Sequence, residues 1–344
     1  MIKYHLKFLV IGAGAVGGIS AALLRRSGFD VELVCKYDDY ARMVSEMGME
    51  VSGVCGRFRM KIPAYSSVLQ VKEKKDIILL ATKATDMMEV VRSIDPILTD
   101  TGVLISMQNG ICEDDIAAVA GSDRVIGCVT GWGATMETRG KPEMTSSGDF
   151  ILGYPDKKAD ELLSTISDAL STVVPVIVTD NIKGHKYSKL IINSCITSLG
   201  AICGLYLGNM LMIKKVRNIF VEIIREALKV SEKMNINIEV FAGKLDFEKF
   251  VRGKGIFSDL RRHILLLIIG YKYRKLKSSS LQSLQHGKPT EIDFLNGYIV
   301  KNAINYGLSV PVNAFIVSMI HQIEKKEREI TSDNFNDPFF DRFS

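Results

Sequence analysis

The hydrophobic positions in the first part of the chain form short runs separated by amphipathic stretches. Residues 6–11 are an apolar run, glycines follow at 12–18, residues 15–27 carry apolar positions at helical spacing, and residues 31–35 are a second apolar run. Short apolar runs bounded by turn signals are typical of buried strands. Residues 6–35 therefore predict a strand, a glycine turn, a helix and a second strand.

Similar runs continue to about residue 180. The further predicted strands are Asp76–Ala81, Gly102–Ser106, Arg124–Val129, Phe150–Gly153 and Val173–Thr179. The stretches at 86–97 and 114–120 between them have helical patterns. Strands that alternate with helices indicate a mostly parallel sheet covered on both faces.

The pattern changes near residues 179–184, after which strand-like alternation is nearly absent. The predicted helices of this part are 187–203, 213–234, 258–274, 291–306 and 312–328. The final dozen residues mix Asp, Asn, Pro and Phe and predict a frayed tail. We therefore predict an α/β domain over 1–182 and an all-helical domain over 183–344. A cleft between two such domains is a common place for a small-molecule site.

The composition is that of a globular protein. Of 344 residues, 47% are hydrophobic and 24% charged, which excludes a disordered chain. Lys and Arg number 44 and Asp and Glu 39, a net charge of +5, with both signs interspersed through most of the sequence. That distribution is a poor footprint for a nucleic-acid-binding protein. The apolar runs fall far short of the length needed to cross a bilayer, so we expect no membrane association.

The six cysteines point away from a metal site. They form no Cys-x-x-Cys pair, and no histidine lies at metal-ligand spacing from any of them. Several sit in apolar runs, where a reduced thiol behaves as a small hydrophobic group. We therefore expect a reduced, cytoplasmic protein without a bound metal.

The glycine turn matches the G-x-G-x-x-G pattern. Its residues are Gly12, Ala13, Gly14, Ala15, Val16 and Gly17. Between a predicted strand and a predicted helix, this pattern indicates dinucleotide binding. The first glycine permits the tight turn, the second lets the backbone approach a pyrophosphate, and the third allows close helix–strand packing.

The end of the second strand distinguishes NADP from NAD. An acidic residue there usually binds a ribose 2′-hydroxyl and a basic residue a 2′-phosphate. Lys36 follows the strand and can pair with a phosphate as a point charge, whereas Glu32 lies inside the strand. NADP is favoured. NAD stays open, because a shift of two residues would present Asp38.

Two polar groups in the second half are ambiguous taken singly. Lys189 and Asn193 are four residues apart and share a helix face, which also suits a solvated amphipathic helix. Thr290 and Glu291 begin a predicted helix, which also suits helix capping.

Taken together, the motifs resemble those of the ketopantoate reductase family (2-dehydropantoate 2-reductases). The resemblance is carried by GAGAVG at 12–17, LLATKA with Lys83, Gln108-Asn109-Gly110, Lys189-x-x-x-Asn193 and SSSLQSLQHGKPTEIDFLNG at 278–297. They occur in family order, at about family spacing, over essentially the whole chain. The resemblance implies an N-terminal NADP-binding, Rossmann-type doubly wound parallel sheet. It also implies a C-terminal helical domain similar to that of 6-phosphogluconate dehydrogenase, in a monomer or a homodimer.

The resemblance implies a role for each matching residue. Lys189 matches the general acid that protonates the substrate carbonyl oxygen while NADPH delivers hydride to the carbon, and Glu291 helps to orient it. An ammonium suits this role because it stabilises the developing alkoxide before it transfers its proton. The positions matched to substrate binding are Asn109, Asn193, Thr197, Ser279 and Glu291. The positions matched to NADP(H) are Gly12, Ala13, Gly14, Ala15, Val16, Gly17, Lys36, Lys83 and Asn109.

Two positions depart from the family pattern. Thr197 and Leu276 stand where members with ketopantoate activity tend to carry asparagines. Each lost polar contact costs about 1–3 kcal/mol if it leaves a buried substrate group unpaired. The sequence therefore predicts an NADPH-dependent reductase of ketopantoate to pantoate. Its alternatives are a reductase of another 2-oxo acid and a non-catalytic dinucleotide-binding regulator.

The basic excess is local. Residues 252–277 hold eight Lys or Arg and a single acid, Asp259, a net charge of +7. One hypothesis is a basic wall that attracts an anionic cofactor and substrate. The alternative is a solvated helix face.

Overall fold

The computed structural model describes residues 6–343, and its strands lie in the first part of the chain. They are β1 (Lys7–Ile11), β2 (Asp30–Val34), β3 (Met49–Gly53), β4 (Phe58–Met60), β5 (Ala64–Tyr65), β6 (Lys75–Leu80), β7 (Leu98–Ser106), β8 (Val125–Thr130), β9 (Gly133–Thr135), β10 (Glu143–Ser146), β11 (Phe150–Gly153) and β12 (Val176–Val178). Every strand predicted from the hydrophobic runs overlaps one of these.

Helices alternate with the strands and then replace them. They are α1 (Ala15–Arg26), α2 (Asp38–Glu46), α3 (Ala84–Ser93), α4 (Glu113–Ala120), α5 (Glu161–Leu170), α6 (Ile182–Cys203), α7 (Leu207–Met212), α8 (Lys214–Lys233), α9 (Phe247–Val251), α10 (Ile256–Lys272), α11 (Ser279–Gln285), α12 (Asn296–Asn305) and α13 (Pro311–Glu324). The helix predicted over 291–306 is interrupted. A 3₁₀ turn occupies 292–294, and α12 begins only at Asn296.

The main sheet of the described residues has the order β12-β11-β8-β7-β6-β1-β2-β5. Its neighbouring strands are parallel except for β11 and β8. Chain order runs outward in both directions from the pair β1 and β6. In open α/β sheets, ligands bind beside the carboxyl ends of the strands at such a reversal point. The predicted Rossmann-type sheet is confirmed.

A small second sheet, absent from the sequence prediction, packs on α1. It has the order β4-β3-β10-β9 and joins strands about ninety residues apart, since Glu143 pairs with Ser52. Glycines let α1 fit closely beside it. A Cβ on Gly18 would lie 2.7 Å from the sulfur of Met49.

Buried hydrogen bonds join the helices of the second half. The Nδ2 of Asn296, at the start of α12, donates to the carbonyl of Ser194 at 3.1 Å and to Oδ1 of Asn313 at 2.9 Å. Asn313 in turn donates to Glu226 at 2.7 Å. The Glu226 carboxylate also accepts the N–H of Val312 and that of Asn313. It thereby satisfies two free N–H groups in the first turn of α13, at the positive end of the helix dipole. Burial raises the pKa of this carboxyl group.

The predicted frayed tail is wrong. Residues 332–336 and 338–343 form 3₁₀ turns, and Phe335 and Phe340 are buried. Phe339 stacks on Phe315 of α13 with ring centroids 4.0 Å apart. In the sequence, the polar residues around these phenylalanines obscure the apolar pattern that would have predicted their packing.

Within the described residues the chain divides into two compact units, the first ending at Lys186 and the second beginning at Tyr187. This division falls inside α6, whereas the sequence placed the boundary at residue 182. No helix in residues 6–343 is long and apolar enough to cross a membrane.

Candidate active site

The glycine turn between β1 and α1 has the geometry that its pattern predicts. Gly12 has a φ of +111°, and a Cβ there would lie 2.6 Å from the carbonyl of Ala81. A Cβ on Gly17 would lie 2.1 Å from the carbonyl oxygen of Gly12. Gly14 differs, because a Cβ there would meet nothing within 4 Å. Two glycines therefore serve packing, and the space over Gly14 is open.

This open space suits a pyrophosphate. Gly14 is the N-cap of α1, and the first helical turn, Ala15 to Gly17, carries no acidic residue. Free N–H groups and the positive end of the helix dipole at such a terminus attract phosphate. The phenol of Tyr40 donates to the carbonyl of Ala13 at 2.9 Å and steadies the turn from α2. Burial raises the pKa of Tyr40 to about 12, so this donor keeps its proton.

The other predicted cofactor residues lie at the same edge of the sheet. Lys36 follows β2, Lys83 follows β6 as the N-cap of α3, and Asn109 follows β7. With the glycine turn after β1, they stand at the carboxyl ends of four adjacent parallel strands. These strands flank the reversal point of the sheet, where a dinucleotide is expected.

A cationic side chain lies at the carboxyl end of β2. The Lys36 ammonium is 70% exposed and lies 3.4 Å from the carboxylate of Asp86. Asp38 instead begins α2 and stands at its positive end. A second cation, Arg139, lies 4.5 Å over the ring of Tyr37, next to Lys36 in the sequence, and 3.3 Å from Asp39.

A buried ion pair stands behind the Asn109 turn. The Lys186 ammonium lies 2.7 Å from Oε1 of Glu113, and both side chains are about 5% exposed or less. Lys186 also donates to the carbonyl of Gln108 at 3.1 Å, while Glu113 accepts the N–H of Cys112 at 3.1 Å. The pair therefore fixes both ends of the segment that carries Asn109.

Lys189 and Asn193 lie one turn apart on α6, as predicted. Both side chains are half-buried, in a stretch of helix whose other residues are mostly buried. Thr197 continues this face one turn later and is buried. Its hydroxyl donates to the carbonyl of Asn193 at 2.8 Å, so the helix itself uses this donor.

The serine run at 278–280 contacts the same part of α6. The Ser278 hydroxyl donates to the carbonyl of Thr197 at 2.7 Å and accepts the N–H of Leu281 at 3.0 Å, which caps α11. Ser279, the predicted substrate ligand, is the first residue of α11 and is exposed. Leu276 is also exposed. The structure thus brings the predicted Thr197 and the neighbour of Ser279 together.

Glu291 lies between two anchored residues. The N–H and the hydroxyl of Thr290 donate to Glu324 at 2.7 and 2.8 Å, and the same hydroxyl accepts the N–H of Ile292. The Thr290 hydroxyl therefore binds the N–H of the first residue of the 3₁₀ turn, while the N-cap position itself is Glu291. Glu291 itself is half-buried, at the start of the 3₁₀ turn.

Two family models match the chain. "Ketopantoate reductase PanE/ApbA" matches residues 8–157, and "Ketopantoate reductase PanE/ApbA C terminal" matches residues 181–324. The chain belongs to the ketopantoate reductase family. It is thereby placed among oxidoreductases, as the resemblance implied.

Similar proteins agree along most of the chain. The 2-dehydropantoate 2-reductase of Pyrococcus horikoshii is 28% identical over 316 residues, which cover 92% of this chain and 96% of that protein. The crystal structure of a PanE/ApbA family ketopantoate reductase from Ralstonia eutropha JMP134 has 23% identity and a TM-score of 0.80, covering 94% and 100% of the two chains. D-Mandelate dehydrogenase with NADH and anilino(oxo)acetate has 21% identity and a TM-score of 0.79, covering 93% and 99%. At such identities the two structures show a shared fold.

The sequence of this ketopantoate reductase family member did not reveal several supporting residues. Tyr40, Arg139, Glu113 and Lys186 each act through a partner that is distant in sequence. One signal was available. Ile182, Lys186 and Leu190 are four residues apart, so a lysine interrupts an apolar helix stripe, and such a lysine needs a buried anion.

Proposed function

We propose that this chain reduces the 2-oxo acid ketopantoate to pantoate with NADPH. The observation that carries the proposal is the open cradle over Gly14, at the reversal point of the sheet, in a family member that retains Lys189 and Glu291. The Pyrococcus horikoshii relative, named 2-dehydropantoate 2-reductase, supports the choice of substrate.

The residues at the strand ends fit a nicotinamide dinucleotide. The α1 terminus would hold the pyrophosphate, and Asn109 and Lys83 would contact the nicotinamide half. Lys36 would bind the 2′-phosphate, with Arg139 as a second cation on the same side. When bound, the reduced nicotinamide supplies the hydride that the keto carbon receives.

The residues of the helical unit would handle the substrate. Lys189 stabilises the negative charge that develops on the carbonyl oxygen and then donates its proton to it. Asn193, one turn further along α6, binds the substrate on the same helix face. Ser279 binds the carboxylate, and Glu291 binds a hydroxyl and orients Lys189.

A substrate panel tests the reaction. We expect ketopantoate to give the highest kcat/KM among several 2-oxo acids, measured by the loss of NADPH absorbance. Lys189→Ala should abolish turnover and leave NADPH affinity unchanged, because its ammonium acts on the substrate. A non-catalytic regulator would show no turnover with any acid, and its regulatory response to the bound dinucleotide would be unchanged in Lys189→Ala.

Lys36 tests the cofactor preference. Lys36→Ala should raise KM for NADPH about tenfold, as expected for the loss of a hydrogen bond between charged groups, and leave KM for NADH unchanged. Lys74 is a matched control, since it is similarly exposed and lies before β6 at the opposite edge of the sheet. Equal effects of Lys36→Ala on the two cofactors would contradict the assignment of Lys36 to the 2′-phosphate.

A second substrate class is the alternative. Thr197 and Leu276 replace two amides, and the Thr197 hydroxyl already donates within α6. The similar fold of D-mandelate dehydrogenase, with an aromatic oxoacetate named as its ligand, gives this alternative a precedent. A panel member with a larger apolar group that exceeds ketopantoate in kcat/KM would establish it. In that case, Thr197→Asn should shift the preference toward ketopantoate.

A further inference from the structure

Helix α10 exposes a continuous apolar face. Phe257, Leu260, Ile264, Ile268 and Tyr271 follow one another at spacings of three, four, four and three residues, which places them on one side of the helix. Their exposed fractions range from 48% to 90%. We call these five residues the α10 stripe.

The opposite side of α10 is the one that packs on its own unit. Arg262, Leu266 and Gly270 are buried there at four-residue spacing. A Cβ on Gly270 would lie 3.1 Å from the Cβ of Leu211 in α7. The α10 stripe therefore points away from the core that holds the helix in place.

The apolar area that the stripe exposes is large enough for a protein–protein contact. Aromatic residues bury about 150–250 Å² each, so two aromatic and three aliphatic side chains at these exposures present on the order of 500 Å². Two such faces together remove about 1,000 Å² from water, the lower limit for a specific protein–protein interface.

The order of residues along the stripe is self-complementary. It reads aromatic, aliphatic, Ile264, aliphatic, aromatic in both directions. Antiparallel packing of two copies about Ile264 would set Phe257 against Tyr271 and Leu260 against Ile268. A two-fold interface requires this property, because the same patch serves both subunits.

Three arginines near the stripe already contact groups of their own unit. The Arg261 guanidinium donates to the carbonyls of Lys249, Phe250 and Arg252. Arg262 is buried against Asp259 and donates to the carbonyls at 251–253. Arg274 lies 5.2 Å over the ring of Tyr271. Guanidinium groups with such partners are poor ligands for a phosphate-rich surface, which favours an apolar contact with a second copy.

We propose that two copies of this chain associate through the α10 stripe, antiparallel and with the two-fold axis at Ile264. The contact brings Arg252 and Lys254, which precede α10, close to Lys275 and Lys277, which follow α10 in the second copy. Salt screens this repulsion between like charges. The dimer therefore becomes tighter as ionic strength rises, whereas binding to an anionic surface would weaken.

Sedimentation of the full chain at micromolar concentration tests the proposal. We expect a dimer whose Kd falls between low and moderate salt. Ile264→Glu places two carboxylates at the axis and should give a folded monomer with an unchanged circular dichroism spectrum. Ile304→Glu is the control, since Ile304 is similarly apolar and exposed but lies on α12; the dimer should persist.

Cross-linking fixes the geometry. Ile264→Cys should form a disulfide between subunits under mild oxidation. Ile268→Cys should not pair with itself, but the double variant Leu260→Cys, Ile268→Cys should cross-link. A monomer at every salt concentration would overturn the proposal, as would a dimer that survives Ile264→Glu. Salt-sensitive binding of a monomer to phosphatidylserine vesicles would assign the stripe to a membrane instead.

Discussion

Replacing Lys186 with methionine removes the cation of a buried ion pair and keeps most of its apolar stem. The side chains of Lys186 and Glu113 are 4% and 5% exposed, and their charged atoms lie 2.7 Å apart. Their environment offers the Glu113 carboxylate little water. Lys186→Met therefore leaves a carboxylate charge in the core of the first unit.

The expected cost follows from this burial. Breaking a buried ion pair by removing one partner costs about 3–5 kcal/mol, because the remaining charge stays uncompensated. The carbonyl of Gln108 also loses its donor. In the double variant Lys186→Met, Glu113→Gln, no charge remains, and the side-chain amide that replaces the carboxylate can still accept the N–H of Cys112 through its carbonyl oxygen. We therefore expect the double variant to be more stable than Lys186→Met alone.

Urea denaturation followed by tryptophan fluorescence measures the free energy of unfolding of the first unit, which contains the ion pair. Trp132 is the single tryptophan of the chain and is buried in the first unit, where it packs edge-on against Phe150. The control is Lys183→Met, three residues earlier on α6. Lys183 pairs with Asp156, and both side chains are exposed, so its removal should cost less than about 1 kcal/mol.

Two results would refute this reasoning. If Lys186→Met costs no more than Lys183→Met, the pair does not behave as a buried one. If the double variant costs the sum of its two single changes, the two side chains are not energetically coupled.

Three further predictions test other parts of the structure. Gly17→Ala should prevent folding of the first unit, since its Cβ would overlap the Gly12 carbonyl, whereas Gly14→Ala should keep the same thermal midpoint and weaken NADPH binding in a direct titration. Phe340→Ala should lower the free energy of unfolding by about 3–5 kcal/mol, and a change below about 1 kcal/mol would contradict the packed tail. Burial raises the pKa of Glu226, so the folded chain binds its proton more tightly than the unfolded chain. The free energy of unfolding should then fall as pH rises from about 4.3 to the folded pKa and level off above it; Glu226→Gln should lack this decline when the same urea titration is repeated across pH.

The main sheet was predictable because each of its strands is locally marked. The strand β1, most of β6 and the second half of β7 are nearly uninterrupted apolar runs, as expected for parallel strands buried on both faces. The small sheet was not predictable. Its strands are three to five residues long, and the pairing of β3 with β10 depends on chain folding over about ninety residues. Short strands held by distant partners leave little pattern in the sequence.

The cofactor turn was predictable for a similar reason. Each glycine answers a local need: Gly12 a positive φ, Gly17 a contact with the Gly12 carbonyl, and Gly14 an open approach. Arg139 and Tyr40 were missed because their relation to the turn arises from the small sheet and from α2. A charge count could not show that Arg261 and Arg262 bind backbone carbonyls within their own unit. The electrostatic role of residues 252–277 therefore depends on the fold. Attraction of an anionic cofactor and substrate by this segment stays a prediction, which the salt dependence of kcat/KM would test.

In the proposed function, the two departures from the family pattern and the retained residues act on different parts of the substrate. Lys189 and Ser279 are proposed to act on the keto and carboxylate groups, which every 2-oxo acid carries. Thr197 and Leu276 replace amides, and the structure leaves little polar function at either position: the Thr197 hydroxyl donates to Asn193, and Leu276 presents an apolar side chain. Fewer donors weaken discrimination at the remaining part of the substrate, where one acid differs from another. The proposed roles therefore separate reaction type from substrate range: variants at Lys189 should change kcat for every acid, and variants at Thr197 should change the ranking among acids.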